Sequence, residues 1–595
     1  MRHPDTALPP AEADPLPTDD PARAASRAFD SRFHAAIAHA TQGLSPVSLA
    51  LAQMDWWLHL CSQPAEAWRL GLRAWEGAWR SWQQSLAPGP VAPADARFAH
   101  PGWQAWPWAP LVQAHHASQD WWAEATRLRG MTPHHRDMAA FFARQWLDML
   151  SPSNAGLANP EVLERTWLQG GANLLRGLQA AGDDWRRANG LPPLAQDGPP
   201  LRPGVDLALT PGRVVHRNHL AELIQYQPTT ATVHAQPVFI VPSWIMKFYI
   251  LDLSPHNSLV KWLVDQGHTV FILSWRNPDE GDALLGLDDY LQLGVFDALA
   301  AIARLVPDQP VQACGYCLGG TLLSIAAAAL SRPQRVAGAE LLAPIAGVTL
   351  LAAETDFSEP GEMGVLIDES QVTLLEDMMA ERGFLTGPQM AGSFAFLHAR
   401  DQVWSRRLRA RWLGEPEHAN DLMAWNADVT RMPALMHSQY LRRCYLRNEL
   451  AEGRYQVEDQ PVSLGDMRWP MFVVGTERDH VSPWHSVYKI HRLTNTSIRF
   501  VLASGGHNAG IVSEPGHAGR HYAMLQHEPS DGWRSPEAWQ AAAPRSEGSW
   551  WPAWQAWLAE QGGGRRVKAR VPPADAALGD APGPYVQVRY EDPPL

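Results

Sequence analysis

Gly315-Tyr316-Cys317-Leu318-Gly319-Gly320 lies between a strand-like run, VQACGY, and an Ala/Leu-rich stretch, TLLSIAAAAL. A Gly-x-nucleophile-x-Gly pattern at such a junction puts a side chain on a sharp strand-to-helix turn, with glycines where the two elements close on each other. The nucleophile position holds Cys317. A thiol at a helix start is favoured as thiolate, the form that attacks acyl carbon, and the backbone N–H of Leu318 is the amide placed to meet the oxyanion. Two plainer readings compete. Core cysteines are common, but a core role does not call for glycines on both sides. Cys314 and Cys317 also spell C-x-x-C, yet Cys314 belongs to the strand before the turn, and no second ligand pair accompanies it for zinc.

An elbow nucleophile needs a histidine base and an acid that orients it, in chain order nucleophile, acid, histidine. Asp479, in Glu477-Arg478-Asp479-His480, leaves the strand-like VVGT, and His507, in Ser504-Gly505-Gly506-His507-Asn508, follows RFVLA. The chain has 24 histidines, so position decides: His507 is flanked by glycine, follows the last expected strand and lies beyond the acid. His480 is the lesser candidate for the base and reads better as a neighbour of the site. A second oxyanion donor is expected from Pro242-Ser243-Trp244-Ile245, after the early strand PVFIV.

These residues need a sheet to present them. From about residue 201, β-branched runs alternate with helical ones: PVFIVPSW, HNSLVKWLVDQG, TVFILSW, YLQLGVFDALAAIARLV, VQACGYC, TLLSIAAAAL and VAGAELLAPIA. That alternation predicts a mostly parallel α/β sheet. A helical insertion over about 354–455 then predicts a cap above the strand ends, after which MRWPMFVVGTE and TSIRFVLAS resume the sheet. The catalytic unit is expected over 201–570, with a tail over 571–595. Before it, residues 29–200 read as a mostly helical domain, and the Pro-, Ala- and Asp-rich residues 1–28 read as a disordered tail.

With 595 residues the chain has ample length for a large core, and 46% hydrophobic against 19% charged residues excludes wholesale disorder and fibrous classes. A formal net charge of −13 argues against a nucleic-acid-binding surface. Cys61, Cys314, Cys317 and Cys444 are too few and scattered for a disulfide framework, which suits a reducing cytoplasm. No apolar run suits a signal peptide or a membrane span. The 28 tryptophans are roughly four times average usage. Trp68, Trp75, Trp79 and Trp82 fall on one helix face, which either packs against the rest of the fold or serves a dimer mate, a partner or an apolar product. Residues 1 to about 90 are thereby expected to matter for association more than for chemistry.

Several long segments, in order, carry a resemblance: VPSWIMKFYILDLSPHNSLVKWLVDQGHTVFILSWRNPD, GYCLGG, AWNADVTRMP with HSQYLRRCYLRNEL, GTERDHVSPW and ASGGHNAGIV. Together they resemble a class I polyhydroxyalkanoate (poly-3-hydroxybutyrate) synthase over about 95–570, and DARFAHPGWQAWP is similar to the opening of that family's N-terminal domain. SPVSLALAQMDWWLHLCSQPAEAW is similar to an extra segment found in some members. The resemblance implies an α/β-hydrolase-type fold and a cytoplasmic acyltransferase at the surface of a polyester granule. It would polymerise (R)-3-hydroxyacyl-CoA as a homodimer, with no metal and no cofactor beyond the CoA thioester substrate. Cys317, Asp479 and His507 match the family's catalytic positions, and Asp252, Trp425, Tyr440 and His480 match positions around its substrate pocket. The rivals are a thiol esterase or depolymerase of the same fold and a non-catalytic granule-binding protein.

Overall fold

Strands that are apolar at every position need cover on both faces, which parallel strands flanked by helices provide. Residues 212–547 are arranged in this way in the computed structural model, which describes residues 21–86, 95–189, 191, 201–333, 336–397, 399–415, 420–575 and 577–589. One sheet contains β1 (Gly212–Arg217), β2 (Ala221–Tyr226), β3 (Val238–Val241), β4 (Val270–Trp275), β5 (Val311–Tyr316), β6 (Ile345–Leu351), β7 (Met471–Thr476), β8 (Ile498–Ala503), β9 (His521–His527) and β10 (Arg545–Glu547). Their spatial order is β1-β2-β4-β3-β5-β6-β7-β8-β9-β10. From β4 to β8 the neighbours run parallel, and β1, β2, β9 and β10 add antiparallel edges.

Successive side chains leave a strand on opposite faces. Phe239 and Val241 of β3 therefore enter the larger core with Phe271, Leu273 and Ala313, while Val238 and Ile240 enter a second core with Ile272, Cys314 and Tyr316. The chain passes from β3 to β4 on one side and returns to β5 on the other. The switch in direction between β3 and β5 opens a crevice at their carboxyl ends, where open α/β sheets hold ligands.

Three expectations shift. The strand expected within VAGAELLAPIA starts only at Ile345, because Gly338 (φ 70) turns the chain left-handed into a short 3-10 turn at Ala339–Leu341. An evenly apolar run offers no periodicity to mark where a strand begins. The tail expected over 1–28 gives way to helix from Pro21, a proline start followed by Ala-rich sequence, and residues 1–20 lie outside the described residues. The tail expected after 570 packs onto the sheet instead: Val586 and Val588 are buried, and Tyr585 donates its hydroxyl to the Asn218 carbonyl (2.7 Å) and its N–H to Glu222 (3.1 Å).

The cap inserted between β6 and β7 includes helices Glu369–Met379 and Ala434–Tyr440. Its far end is stitched to the loop after β3: the Trp425 indole donates to the Lys247 carbonyl (2.8 Å), and the buried Lys247 ammonium pairs with Asp428 (2.8 Å). Helices α1 (Pro21–Ala40), α2 (Pro46–Ser62), α3 (Pro64–Leu86), α4 (Trp108–Ala125), α5 (Pro133–Met149), α6 (Pro160–Leu168) and α7 (Ala172–Ala188) precede the sheet. The first two lean on the cap, where His34 pairs with Asp377 (2.7 Å) and Ser48 donates to Asp368 (2.7 Å). Trp68, Trp75, Trp79 and Trp82 do share one face of α3, and they are 72%, 64%, 44% and 52% exposed, so among the described residues the face is largely open. Trp75 and Trp79 stack on each other at 5.8 Å. No helix among the described residues is long and apolar enough to cross a membrane.

A charged knot ties the helical region to the cap. Arg97 bridges Asp95 (2.7 Å) and Asp148 (2.7 Å), all three side chains nearly buried, and Arg400 of the cap adds a contact to Asp95 (3.1 Å). Removing one partner strands the other charges out of water, at a cost of about 3–5 kcal/mol. Arg97→Met is therefore expected to lower the urea midpoint by an amount equivalent to about 3 kcal/mol, and a midpoint equal to that of the wild type would mean that the knot does not hold the helical region in place.

Candidate active site

Cys317 caps helix Leu318–Ser331 with φ 52° and ψ −126°, a backbone conformation that a residue with a Cβ holds only under constraint. The constraints are local. Its N–H donates to the Leu351 carbonyl of β6 (2.9 Å), and its own carbonyl accepts from Gly320 (2.8 Å) and Thr321 (3.3 Å). A Cβ at Gly319 would strike the Val241 and Pro242 carbonyls, and one at Gly315 would strike the Gly320 backbone, so the elbow closes only with glycine at both positions. Leu318 is the first helical residue, and its N–H is among those a helix cannot pair internally. The loop after β3 passes directly over Gly319.

Asp479 lies just beyond β7 with its side chain out of solvent. Its Oδ1 accepts from the Val481 (3.0 Å) and Ser482 (2.8 Å) amides, and its Oδ2 accepts from Thr476 (2.9 Å) and from His507 Nδ1 (2.9 Å). Burial alone would raise this carboxyl, but the His507 charge and hydrogen bond, the Ser482 amide and the Thr476 hydroxyl outweigh it and hold it below the usual carboxylate range. For His507, burial works toward a lower value, and Asp479 and Cys317 together overcome it: the charge of each and a hydrogen bond to each raise the imidazole well above its ordinary value. The imidazole is thus held by the acid and lies within the electrostatic reach of the thiol. Next to it, the Tyr316 hydroxyl donates to Asn508 (2.6 Å), and the Tyr316 ring lies 5.7 Å from that of His507.

The loop carrying His507 is anchored from below. Trp550 and Trp551 donate their indole N–H groups to the carbonyls of Gly510 (2.9 Å) and Ile511 (2.9 Å), and Trp554 donates to Thr349 of β6 (2.9 Å). All three indoles are fully buried, and each places its N–H on an acceptor, as buried indoles do.

From the cap, Tyr440 closes the site. Its helix continues into a wide π-type turn at Leu441–Leu446, which brings residues five apart together, and the Tyr440 hydroxyl donates to that of Tyr445 (3.2 Å). Trp244, from the loop after β3, meets the Tyr440 ring edge-on at 6.0 Å, and Phe357 packs on Tyr445 at 5.0 Å. Burial first, with the Cys317 charge contributing, raises both phenols. The wall near the thiol is therefore aromatic.

Five of the expected residues meet here: Cys317, Leu318, Asp479, His507 and Tyr440. His480 is exposed on the acid loop, its carbonyl accepting from Glu362 (3.4 Å). Asp252 and Trp425 are placed as follows. Asp252 is buried, with its carboxyl taken up by the hydroxyls of Thr210, Ser258 (2.7 Å) and Tyr226 (3.3 Å), and Trp425 is buried as a tie between the cap and the loop after β3. Among the described residues no group of three or more His, Cys, Asp or Glu side chains could hold a metal ion.

Comparison with known proteins matches residues 94–263 to the poly-beta-hydroxybutyrate polymerase N-terminus, residues 24–65 to a further poly-beta-hydroxybutyrate polymerase N-terminal family, and residues 236–514 to the alpha/beta hydrolase fold. The poly(3-hydroxyalkanoate) polymerase of Methylorubrum extorquens is 41% identical over 504 residues, 84% of this chain and 81% of that one. The corresponding polymerase subunit of Rhizobium etli is 36% identical over 529 residues (88% and 81% of the two chains), and that of Cupriavidus necator 36% over 467 (76% of each). The chain belongs to the poly-beta-hydroxybutyrate polymerase family. As a family member it is an acyltransferase of polyhydroxyalkanoate synthesis on an α/β-hydrolase-type sheet.

Several residues of this polymerase site escaped the sequence reading. The indole anchors had a signal, the run SWWPAWQAW soon after the His507 loop. Tyr445 lay inside the cap segment HSQYLRRCYLRNEL without being singled out, and Glu354 had no signal, because the end of β6 brings it there.

The coupled pair gives stability a definite pH dependence. Asp479, lowered on folding, contributes above its unfolded value, and the contribution fades as pH falls through the folded one. His507, raised on folding, contributes below its unfolded value, and the contribution fades as pH rises through the folded one. Between about pH 4 and 6.5 both are fully present. The stability gap between wild type and Asp479→Asn, measured by urea unfolding, is expected to be widest in that window and to narrow on either side; a gap independent of pH would dissolve the pair.

Proposed function

We propose that this polymerase joins (R)-3-hydroxyacyl groups from CoA thioesters into a polyester by way of a thioester on Cys317. The observation that carries the reading is the His507 imidazole, hydrogen-bonded to Asp479 at 2.9 Å and close enough to Cys317, at the helix start, to feel its charge. His507 takes the thiol proton, and the sulfur attacks the CoA thioester carbon. The Leu318 N–H meets the oxyanion, and the carbon–CoA sulfur bond breaks as His507 returns the proton to CoA. The acyl group now sits on sulfur. A 3-hydroxyl then gives its proton to His507 and attacks a waiting acyl thioester, forming an oxygen ester and freeing a thiol. The exposed indoles of α3 suit an apolar polymer surface or a dimer mate.

The deciding experiment incubates the purified protein with (R)-3-hydroxybutyryl-CoA and follows thiol release and turbidity together. Insoluble polyester supports the reading; free hydroxy acid without polymer replaces it with a thiol esterase, and no thiol release leaves a binding protein.

Serine at the elbow changes the energetics. A Cys317 thioester stores about what the CoA thioester did, so transfer to a hydroxyl runs downhill. Serine would form an oxygen ester first and leave that transfer nearly balanced, and its hydroxyl is hardly ionised at neutral pH. Cys317→Ser is expected to lose on the order of 10²-fold or more in CoA release. Cys314→Ser, buried in β5 with its thiol pushed up by burial, should keep most polymerisation. An active Cys317→Ser beside a folded but dead Cys314→Ser would reassign the nucleophile.

Asp479→Asn should cut turnover more than His480→Ala, since only the first holds the imidazole tautomer and supports its charge. Equal or reversed losses under saturating substrate would show that the acid is misassigned.

A further inference from the structure

Glu354 lies three residues beyond β6 and is 4% exposed. Its backbone is pinned to the elbow: the Thr321 hydroxyl donates to the Glu354 carbonyl (2.7 Å), and the neighbouring Ala353 sits where a Cβ on Gly320 would fall. The side chain feels Asp479, Cys317, His507 and Lys489, and in turn acts on Tyr445 and Cys444 of the cap. It therefore lies within the electrostatic reach of both the thiol and Tyr445.

The contrast with Asp252 is informative. Both carboxyls are buried, but Asp252 has three hydroxyl partners, whereas Oε1 of Glu354 has no protein partner among the described residues. A buried carboxyl that serves only the fold is satisfied by the fold. One left open beside a nucleophile is placed for a ligand atom. Burial first, then the charges of Asp479 and Cys317, push the Glu354 carboxyl well above the usual range, which favours the protonated form, able to donate as well as accept.

We propose that Glu354 is a specificity-determining residue whose carboxyl hydrogen-bonds the 3-hydroxyl of the acyl group carried at Cys317. The proposal rests on the thioester reading above and adds the group that tells a hydroxyacyl thioester from a plain acyl one. A site built to hydrogen-bond a substrate hydroxyl rejects the analogue without it, because the site's own polar group is then left unpaired.

The test compares first-turnover CoA release from (R)-3-hydroxybutyryl-CoA and from butyryl-CoA, which lacks the hydroxyl, in the full-length wild type, Glu354→Gln and Glu354→Leu. Wild type should prefer the hydroxyacyl substrate. Glutamine, which keeps a donor and an acceptor, should retain that preference within about twofold, and leucine should lose about tenfold of it. Glu354→Met gives the same comparison should the leucine variant not fold. The proposal is overturned if wild type shows no preference, if glutamine loses it, or if leucine or methionine retains it, including a case where both substrates slow equally. Cys317→Ala is run alongside. CoA release there at the wild-type rate would sink the thioester reading and this proposal with it, a result distinct from any change in the Glu354 ratio.

Discussion

One turn of backbone governs the rest of this molecule. Cys317 sits at a positive φ where β5 becomes helix, and the bend is held by a single hydrogen bond to β6 and by two glycines that let the strand, the helix and the loop after β3 approach to contact. Because the bend comes at the carboxyl end of the strand beside the topological switch, the thiol is delivered to the one edge of the sheet where the chain leaves a crevice. The same approach carries the loop after β3 over the helix start. The cap in turn is stitched to that loop through Trp425, Lys247 and Asp428. Elbow, loop and cap therefore form a chain of contacts in which moving one shifts the others.

The base reaches the thiol from far along the sequence, and its loop could wander. Its rigidity comes from beneath the sheet, where three indole N–H groups bind two carbonyls of the His507 loop and one threonine of β6. Large aromatic side chains supply both apolar area and a directed hydrogen bond, so a Trp-rich helix can fix a loop without placing charge near the reacting groups. This gives part of the unusual tryptophan content a role in positioning.

The elbow and the Asp479–His507 pair were legible because such chemistry imposes local grammar: glycines around Cys317, an acid leaving one strand, a glycine-flanked His507 leaving the next. The parallel core strands were legible from alternating run lengths. What could not be read was anything decided by long-range packing. The four indoles of α3 align by periodicity whether the face is covered or open, and only the fold shows that it is open. Asp252 and Trp425 sit in segments that resemble the family and so invited a pocket role, yet their polar atoms are spent on neighbours that no spacing rule reveals. The strand at β6 was displaced because a fully buried run lacks the polar alternation that marks its ends. Glu354 stands in no motif at all; its interest comes from what surrounds it.

On the proposed thioester route a polyester synthase faces a competition that an esterase does not, since water can attack the same thioester that must wait for a hydroxyl. Hydrogen bonds from His507 can activate either nucleophile, so the triad alone cannot choose between them. The choice must lie in what can approach the sulfur. Tyr440, Tyr445, Phe357 and Trp244 pack together beside the elbow and leave little polar surface on which water could be held. A buried carboxyl near that wall, with one oxygen unpartnered, would favour an acyl group that brings its own hydroxyl. Selectivity for transfer over hydrolysis and selectivity for hydroxyacyl over acyl would then come from one arrangement, a mostly aromatic wall with a carboxyl that has an unused oxygen. The α/β-hydrolase-type sheet below it would keep the machinery it shares with enzymes that use water.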